Sequence, residues 1–332
     1  MRIPHSLLNK MGKPKIGVID VPFAKGQRKH GVQKGPKVLR DAELLQKLKE
    51  HCRADIKDYG CVEYKPSSAP TTTNLLNFGD VAACNKQLAK MTETIMKDGR
   101  TCLSLGGDHS IAFGSISGHC KAKNGNVAVI WVDAHADINT DATSDTGSMH
   151  GMPVALLAKE IEGYWKSRPK FDWHKPCISL KNVGYIGLRS IDPYEEFFIS
   201  KYGITVYDMD HIQNMGIQSV IDNVLKKIDP DNNRSLHLSF DIDAIDPQFA
   251  GSTGTPVPGG LLVREGISIA NALHKTGRLD GMDMVEVNPN LGCENLQKKT
   301  ITTAVEIILA AFGSRKRGFP SDMPPLVPST SG

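Results

Sequence analysis

The sequence lacks any apolar run close to the roughly 20 residues that a helix needs to cross a bilayer, so we expect no membrane-spanning segment. It also lacks an excess of charge of either sign, because 40 Lys and Arg stand against 36 Asp and Glu, a formal net charge of +4. The acids and bases are interspersed and no basic face is visible, which argues against nucleic acid as a partner. These absences leave a small molecule as the expected partner.

Paired cysteine motifs are also missing. The seven cysteines form no CxxC pair and lie far apart, which indicates reduced thiols in an intracellular protein. The first eleven residues, MRIPHSLLNKM, are basic, but they contain no long apolar core and no small-residue cleavage site. We therefore expect a cytoplasmic protein, with a short mitochondrial presequence as the alternative.

Short β-branched or apolar runs alternate with helical patterns along the chain. The predicted strands are KIGVIDV (15–21), TCLSL (101–105), NVAVIWV (126–132), NVGYIGL (182–188), GITVYDM (203–209), SLHLSF (235–240) and GMDMVEV (281–287). The predicted helices cover 35–51, 80–99, 214–228, 263–277 and 301–313. This alternation indicates βαβ units and a mainly parallel sheet with helices on both faces. Because no repeat or long linker interrupts the pattern, one domain is predicted, followed by a loose Pro- and Ser-rich tail (318–332).

Acidic and imidazole side chains directly follow three of the predicted strands. These are His109 in GGDHS, then Asp133, His135 and Asp137 in DAHADINT, and Asp241 and Asp243 in DIDAIDP. Residues two apart in an extended segment point to the same side, and ligands of parallel sheets bind beyond the carboxyl ends of the strands. A single Asp at a strand end is usually a helix cap or a turn residue. Three such sets would be costly to bury together without cations, so the sequence predicts a metal site.

The predicted ligands favour a pair of ions. Six ligands are too many for one catalytic ion that keeps an open position, which favours two ions roughly 3.5–4 Å apart. Four carboxylates and two imidazoles make an oxygen-rich set, whereas structural zinc would be expected to recruit cysteines. Manganese is the first choice, and cobalt, iron or zinc remain as substitutes.

In order and spacing, GGDHS, DAHADINT and SFDIDAIDP resemble the three metal motifs of the ureohydrolases, the arginase and agmatinase superfamily. Other stretches resemble arginases in particular, namely PFAKGQRKHGVQKGPKVLR (22–40), HGMP (150–153), YIGLRSIDPYEE (185–196), TGTPVPGGLLVREG (253–266) and MVEVNPNLG (284–292). The resemblance covers about residues 14–317 and leaves 1–13 as a short N-terminal extension. It implies an αβα sandwich of three layers around a central sheet of about eight strands, and a homotrimer.

The resemblance also implies the roles of the metal ligands. Asp133 and Asp241 would bridge two Mn²⁺ ions per subunit. His109 and Asp137 would complete one coordination sphere, and His135 and Asp243 would complete the other. A metal-bridging hydroxide would then attack the guanidinium carbon of L-arginine to give L-ornithine and urea, with Asp137 relaying the proton to the departing amine.

Three further residues match positions around the reacting end of the substrate. Glu286 in EVNP matches the glutamate that pairs with the guanidinium, and His150 matches a proton-shuttling histidine. Thr255 matches a threonine that lines the site. Without the resemblance, His150 would be an ordinary loop histidine and Thr255 a turn residue. For Glu286 a surface salt bridge is the less favoured alternative, because the preceding run has the pattern of a buried strand.

Five residues match positions at the amino-acid end of the substrate. By resemblance, Asn139, Thr146 and Ser148 would hold the α-carboxylate, Asp192 would receive the α-amino group, and Glu195 would assist through water. Each of them could equally be an ordinary loop residue in the absence of the resemblance.

The sequence departs from the arginase pattern at three positions. Ser148 stands where arginases typically have Asn, so weaker binding of arginine is expected, and Ser190 stands where many have Asp. Lys316 lies near the position of an arginine that joins subunits, and lysine lacks the bidentate fork. The alternatives to an arginase are therefore an agmatinase or another guanidino-compound hydrolase, and an inactive arginase-like binding protein.

Overall fold

A central parallel sheet organises the protein. The structure, a computed structural model, describes residues 13–66, 74–166, 171 and 173–314. Within these ranges the eight strands pair in the order β2-β1-β3-β8-β7-β4-β5-β6, and every pairing is parallel. The strands are β1 (Lys15–Val21), β2 (Asp55–Cys61), β3 (Thr101–Gly106), β4 (Val127–Val132), β5 (Val183–Ile186), β6 (Thr205–Tyr207), β7 (Ser235–Asp241) and β8 (Leu279–Val285). The prediction of a parallel α/β sandwich is confirmed.

Helices connect the strands. They are α1 (Gly35–Asp41), α2 (Leu44–Cys52), α3 (Phe78–Lys97), α4 (Ala112–Ala122), α5 (Pro153–Leu157), α6 (Pro193–Tyr202), α7 (Met209–Met215), α8 (Ile217–Ile228), α9 (Pro247–Ala250), α10 (Val263–Lys275) and α11 (Glu294–Ala311). Buried apolar residues form two clusters, and the alternation of β7 places Leu236, Leu238 and Phe240 in one of them. Among the residues described, no helix combines the length and apolarity that a bilayer crossing requires.

Two local features differ from the sequence prediction. The helix predicted over 35–51 is broken into α1 and α2, because Glu43 adopts a left-handed conformation with φ of 61°. Strand β2 was not predicted, because its sequence DIKDYGC has no apolar alternation and it lies at the edge of the sheet. The predicted tail (318–332), Lys316 and residues 1–12 of the extension lie outside the described residues.

The strand order brings the predicted metal motifs together. Strands β3, β8, β7 and β4 are neighbours in the middle of the sheet, and their carboxyl ends lead into GGDHS, EVNP, DIDAIDP and DAHADINT respectively. Because parallel strands end at the same edge, four segments that are distant in sequence meet at one point. This edge of the sheet is therefore the expected position of a functional site.

Candidate metal centre and substrate cavity

His109 lies at the centre of a buried group of carboxylates. Its Nδ1 atom lies 3.0 Å from Oδ2 of Asp133, 3.2 Å from Oδ2 of Asp137 and 3.2 Å from Oδ2 of Asp241. His109 and Asp133 are fully buried, and the other two carboxylates are nearly so. The three strand ends predicted to converge are therefore in contact.

A second histidine faces a different pair of carboxylates. His135 Nδ1 lies 3.2 Å from Oδ2 of Asp243 and 3.4 Å from Oδ1 of Asp133. Asp133 thus directs one oxygen toward each of the two histidines. The side chain of Asp133 joins the two halves of the cluster.

The potential ligand atoms form two sets of three. One set is His109, Asp133 and Asp137, and the other is Asp133, His135 and Asp243, with the ligand atoms of each set within 4.8 Å of one another. Asp241 belongs to neither set, but its Oδ2 lies beside Nδ1 of His109. The geometry accommodates two ions that share Asp133.

The hydrogen bonding of the His109 ring is the pattern expected of a metal-binding histidine. Its Nε2 lies 2.9 Å from Oγ of Ser239, whereas its buried Nδ1 has no hydrogen-bond partner among the described residues. A proton on Nε2 that is donated to Ser239 would leave a lone pair on Nδ1, directed at three carboxylate oxygens. A cation between these atoms would satisfy all of them, so the residues present fit a divalent metal.

The electrostatics of the cluster also favour cations. Burial and the charge of Asp133 raise the pKa of Asp137 to about 6, and burial with Asp243 and Asp133 raises the pKa of Asp241 well above its ordinary value. Burial lowers the pKa of His135, but Asp133 and Asp243 raise it to about 12 overall. The cluster therefore retains protons unless another positive charge neutralises the carboxylates.

Two residues that sequence reasoning missed support the ligands. The Trp131 ring stacks on the His109 ring, with the ring centroids 4.1 Å apart, and its Nε1 donates to Oδ2 of Asp133 at 3.0 Å. Ser239 contacts the other nitrogen of His109. Both residues lie two positions before a predicted ligand, Asp133 or Asp241. The alternation of side chains along β4 and β7 was therefore a signal that could have identified them.

Glu286 and His150 lie beside the metal cluster. Oε1 of Glu286 accepts a hydrogen bond from the backbone N–H of His109 at 2.9 Å and lies 3.4 Å from Nδ1 of His150. Burial lowers the pKa of His150, but Glu286 and nearby carboxylates raise it to about 9 overall. Glu286 and the predicted ligand Asp137 adopt left-handed backbone conformations, with φ of 63° and 51°. Strain of this kind concentrates at functional sites.

A cavity of about 320 Å³ opens next to the cluster. It is lined by predicted ligands, predicted substrate-binding residues and their neighbours, namely His135, Asp137, Asn139, His150, Gly151, Ser190, Ile191, Asp192, Glu195, Asp241 and Thr255. Thr255 also donates from Oγ1 to Oδ2 of Asp243 at 3.0 Å. The cavity is large enough for a small molecule whose reacting end approaches the metal cluster.

The polar residues at the far wall of the cavity form hydrogen bonds with one another and with the backbone nearby. Asn139 donates from Nδ2 to Oδ2 of Asp192 at 2.6 Å, and Oδ1 of Asp192 caps the N-terminus of α6. Glu195 accepts from the backbone N–H groups of Asp192 and Ile138. Burial and the charge of Asp137 raise the pKa of Glu195 to about 8. Asp192 therefore has both a capping role and a place in the cavity wall.

Thr146 and Ser148 lie outside the cavity wall that the described residues define. Thr146 is exposed, and its Oγ1 accepts a hydrogen bond from the backbone N–H of Ser148 at 3.1 Å. The structure thus brings Asn139, but neither of these two, to the wall of the cavity.

Fold and site together define a class of protein. It is a parallel α/β fold with a histidine and carboxylate cluster, suited to two divalent ions, at the carboxyl edge of its sheet. The chain belongs to the arginase family, whose model matches residues 14–313.

The chain is similar to known arginases along most of its length. It is 47% identical to Arginase-1 of Oryctolagus cuniculus over 306 residues, 91% of this chain and 94% of that protein. It is 42% identical to mitochondrial Arginase-2 of Homo sapiens over 317 residues, 95% and 89% of the two chains. The crystal structure of arginase from Bacillus cereus matches with a TM-score of 0.81 at 36% identity, covering 91% of this chain and 99% of that one.

Proposed function

We propose that this protein hydrolyses L-arginine to L-ornithine and urea with two divalent cations, Mn²⁺ by preference. The main support is the sharing of Asp133 between two histidine and carboxylate sets beside a cavity of substrate size. Membership of the arginase family supports the same reaction.

His109 and Asp137 would hold one ion, His135 and Asp243 the other, and Asp133 and Asp241 would bridge them. The sharing of Asp133 is supported by the two ligand sets, and the place of Asp241 at the first ion is supported by its position next to His109. The bridging role of Asp241 is the one that the resemblance to arginases implies. When bound, the pair of cations would lower the pKa of a water and so supply the nucleophile at neutral pH.

The protein's own side chains would then orient the substrate and move protons. Glu286, buried and next to His109, would pair with the guanidinium and present its carbon to the cluster. Asp137 would take up a proton and pass it to the departing amine. His150 lines the cavity beside Glu286, where its imidazole would carry a further proton between the site and solvent.

The amino-acid end of the substrate would lie toward Asn139, Asp192 and Glu195. Asp192 would receive the α-amino group, and Asn139 the α-carboxylate. Thr146 and Ser148 would reach the carboxylate through water or after a shift of their loop, because they lie outside the cavity wall. Arginine binding is therefore expected to be weaker than in arginases with Asn in place of Ser148.

One observation favours a second candidate, the hydrolysis of agmatine. Ser190, where many arginases have Asp, lies in the cavity wall, and the two hydroxyl residues of the carboxylate loop do not. Agmatine has no carboxylate and would not need that loop. The family match and the acid at Asp192 favour arginine.

Parallel assays separate the two substrates. The purified protein is loaded with Mn²⁺, and urea release is measured from arginine and from agmatine. We expect a higher kcat/KM for arginine. A higher value for agmatine would favour the second candidate, and no urea from either substrate with metal bound would exclude both.

We also propose a homotrimer in the cytoplasm, with the mitochondrion as the alternative compartment. The seven cysteines are all unpaired thiols in the structure, which agrees with a reducing compartment. Light scattering of the purified protein would give the oligomeric state, and a trimer would have three times the chain mass of 36.2 kDa.

A further inference from the structure

The segment KGQRK (25–29), in the loop after β1, forms hydrogen bonds with residues on different sides of the site. The backbone N–H of Gly26 donates to Oδ2 of Asp108 at 2.8 Å, and the carbonyl of Gly26 accepts from the N–H of His150 at 3.0 Å. A Cβ at Gly26 would lie 2.5 Å from Oδ1 of Asp108, so only a residue without a side chain lets the backbone come this close to Asp108. Segment 25–29 is therefore built into the site.

The central side chain of segment 25–29 reaches Glu286. Nε2 of Gln27 lies 2.7 Å from Oε2 and 2.9 Å from Oε1 of Glu286. Gln27 is only 5% exposed and Glu286 only 1%. A hydrogen bond from a buried amide to a carboxylate is among the stronger contacts in a protein, so this one restricts the Glu286 side chain.

Gln27 leaves one acceptor position of the Glu286 carboxylate open. An ionised carboxylate has about two acceptor positions on each oxygen. Oε1 of Glu286 receives the Gln27 amide and the backbone N–H of His109, with His150 Nδ1 close by. Among the described residues, Oε2 receives a hydrogen bond from Gln27 alone. One position on Oε2 is thus left for another donor.

The surroundings confine Gln27 to this contact. A Cβ at Gly254 would lie 3.1 Å from Oε1 of Gln27 and 3.7 Å from Oε2 of Glu286. The neighbouring Lys29 donates from Nζ to the carbonyl of Gly254, which holds this loop against segment 25–29. The Gln27 amide is therefore held between the Glu286 carboxylate and the loop that contains Gly254.

We propose that Gln27 is a positioning residue that orients the Glu286 carboxylate, so that Oε2 keeps one acceptor position for the substrate guanidinium. The inference rests on the proposed function, because it takes Glu286 to be the partner of the guanidinium. Gln27 itself does not touch the reacting atoms.

The test replaces the amide with a side chain of similar length that cannot donate, Gln27→Met, and repeats it with Gln27→Leu. KM for arginine should rise about ten-fold or more, because a Glu286 carboxylate that Gln27 no longer orients would pair less well with the guanidinium, while kcat changes much less. The matched control is Gln46→Met on α2, where the exposed side chain donates a hydrogen bond to Glu50. Bound Mn²⁺ per chain and the Tm of each variant are measured in parallel.

Arginine binding to metal-free protein, followed by calorimetry, gives a readout that does not depend on turnover. Its dissociation constant should rise in Gln27→Met and Gln27→Leu but not in Gln46→Met. Unchanged KM and binding in correctly folded variants would overturn the inference. A fall in kcat that parallels a loss of bound Mn²⁺, with KM unchanged, would also overturn it. Absence of urea from the wild-type protein would instead contradict the proposed function.

Discussion

At the scale of single residues, the candidate centre depends on how each ligand is oriented. His109 is fixed by Ser239 at Nε2 and by stacking against Trp131, which leaves Nδ1 directed at the carboxylates. Partners of this kind hold the ring and its tautomer before a metal arrives. The contribution of Ser239 should therefore appear in metal affinity.

Ser239→Ala removes the hydroxyl that His109 contacts and changes the volume of the side chain little. We expect Mn²⁺ to bind about ten-fold more weakly, within the 10–100-fold range typical of such partners. Calorimetric titration with Mn²⁺ measures this directly, and Ser268→Ala is the control, since Ser268 is half-buried on α10 and donates to the carbonyl of Arg264. Equal Mn²⁺ affinity in wild type and Ser239→Ala would mean that Ser239 does not orient His109.

At the scale of elements, the break between α1 and α2 was not predictable from periodicity. Glu43 is the second residue after α1 and adopts φ of 61°, a conformation in which glycine is preferred after a helix. The apolar residues on either side continue one helical pattern, so nothing in the spacing marks the break. The strain at Glu43 can be measured.

Glu43→Gly should stabilise the protein by about 0.5–1 kcal/mol, since it removes the cost of a side chain in the left-handed region. The control Glu50→Gly lies inside α2, where glycine should destabilise by about 1 kcal/mol. Free energies of unfolding from urea denaturation provide the comparison. Destabilisation by both substitutions would show that Glu43 is not strained.

The first turn of α6 contains a carboxyl group whose titration should affect stability. The pKa of Glu195 is about 8 in the folded protein against 4.5 ordinarily, so the folded state binds more protons between these values. Stability should therefore fall as pH rises from about 4.5 to about 8. In metal-free protein, Glu195→Gln should show a smaller fall in Tm over this range. An identical pH dependence would contradict the raised pKa.

At the scale of the whole molecule, the sequence predicts features that depend on local periodicity. His109, Asp133 and Asp241 were identifiable because each lies at the end of a buried strand or shortly after it. The contact between Gln27 and Glu286 joins residues 259 apart, and no local pattern indicates it. Likewise, the position of Ser148 relative to the cavity depends on a loop path that residue spacing does not determine. The sequence therefore does not predict features that depend on how loops distant in sequence pack together.

We propose that each chain uses two ions to hydrolyse arginine. The most direct measurement titrates metal-free protein with Mn²⁺ while recording bound metal, Tm and urea released from arginine. We predict two ions per chain, an increase in Tm as ions bind to the folded state, and full activity only when both are bound. Saturation at one ion with full activity, or two bound ions without urea, would contradict the account.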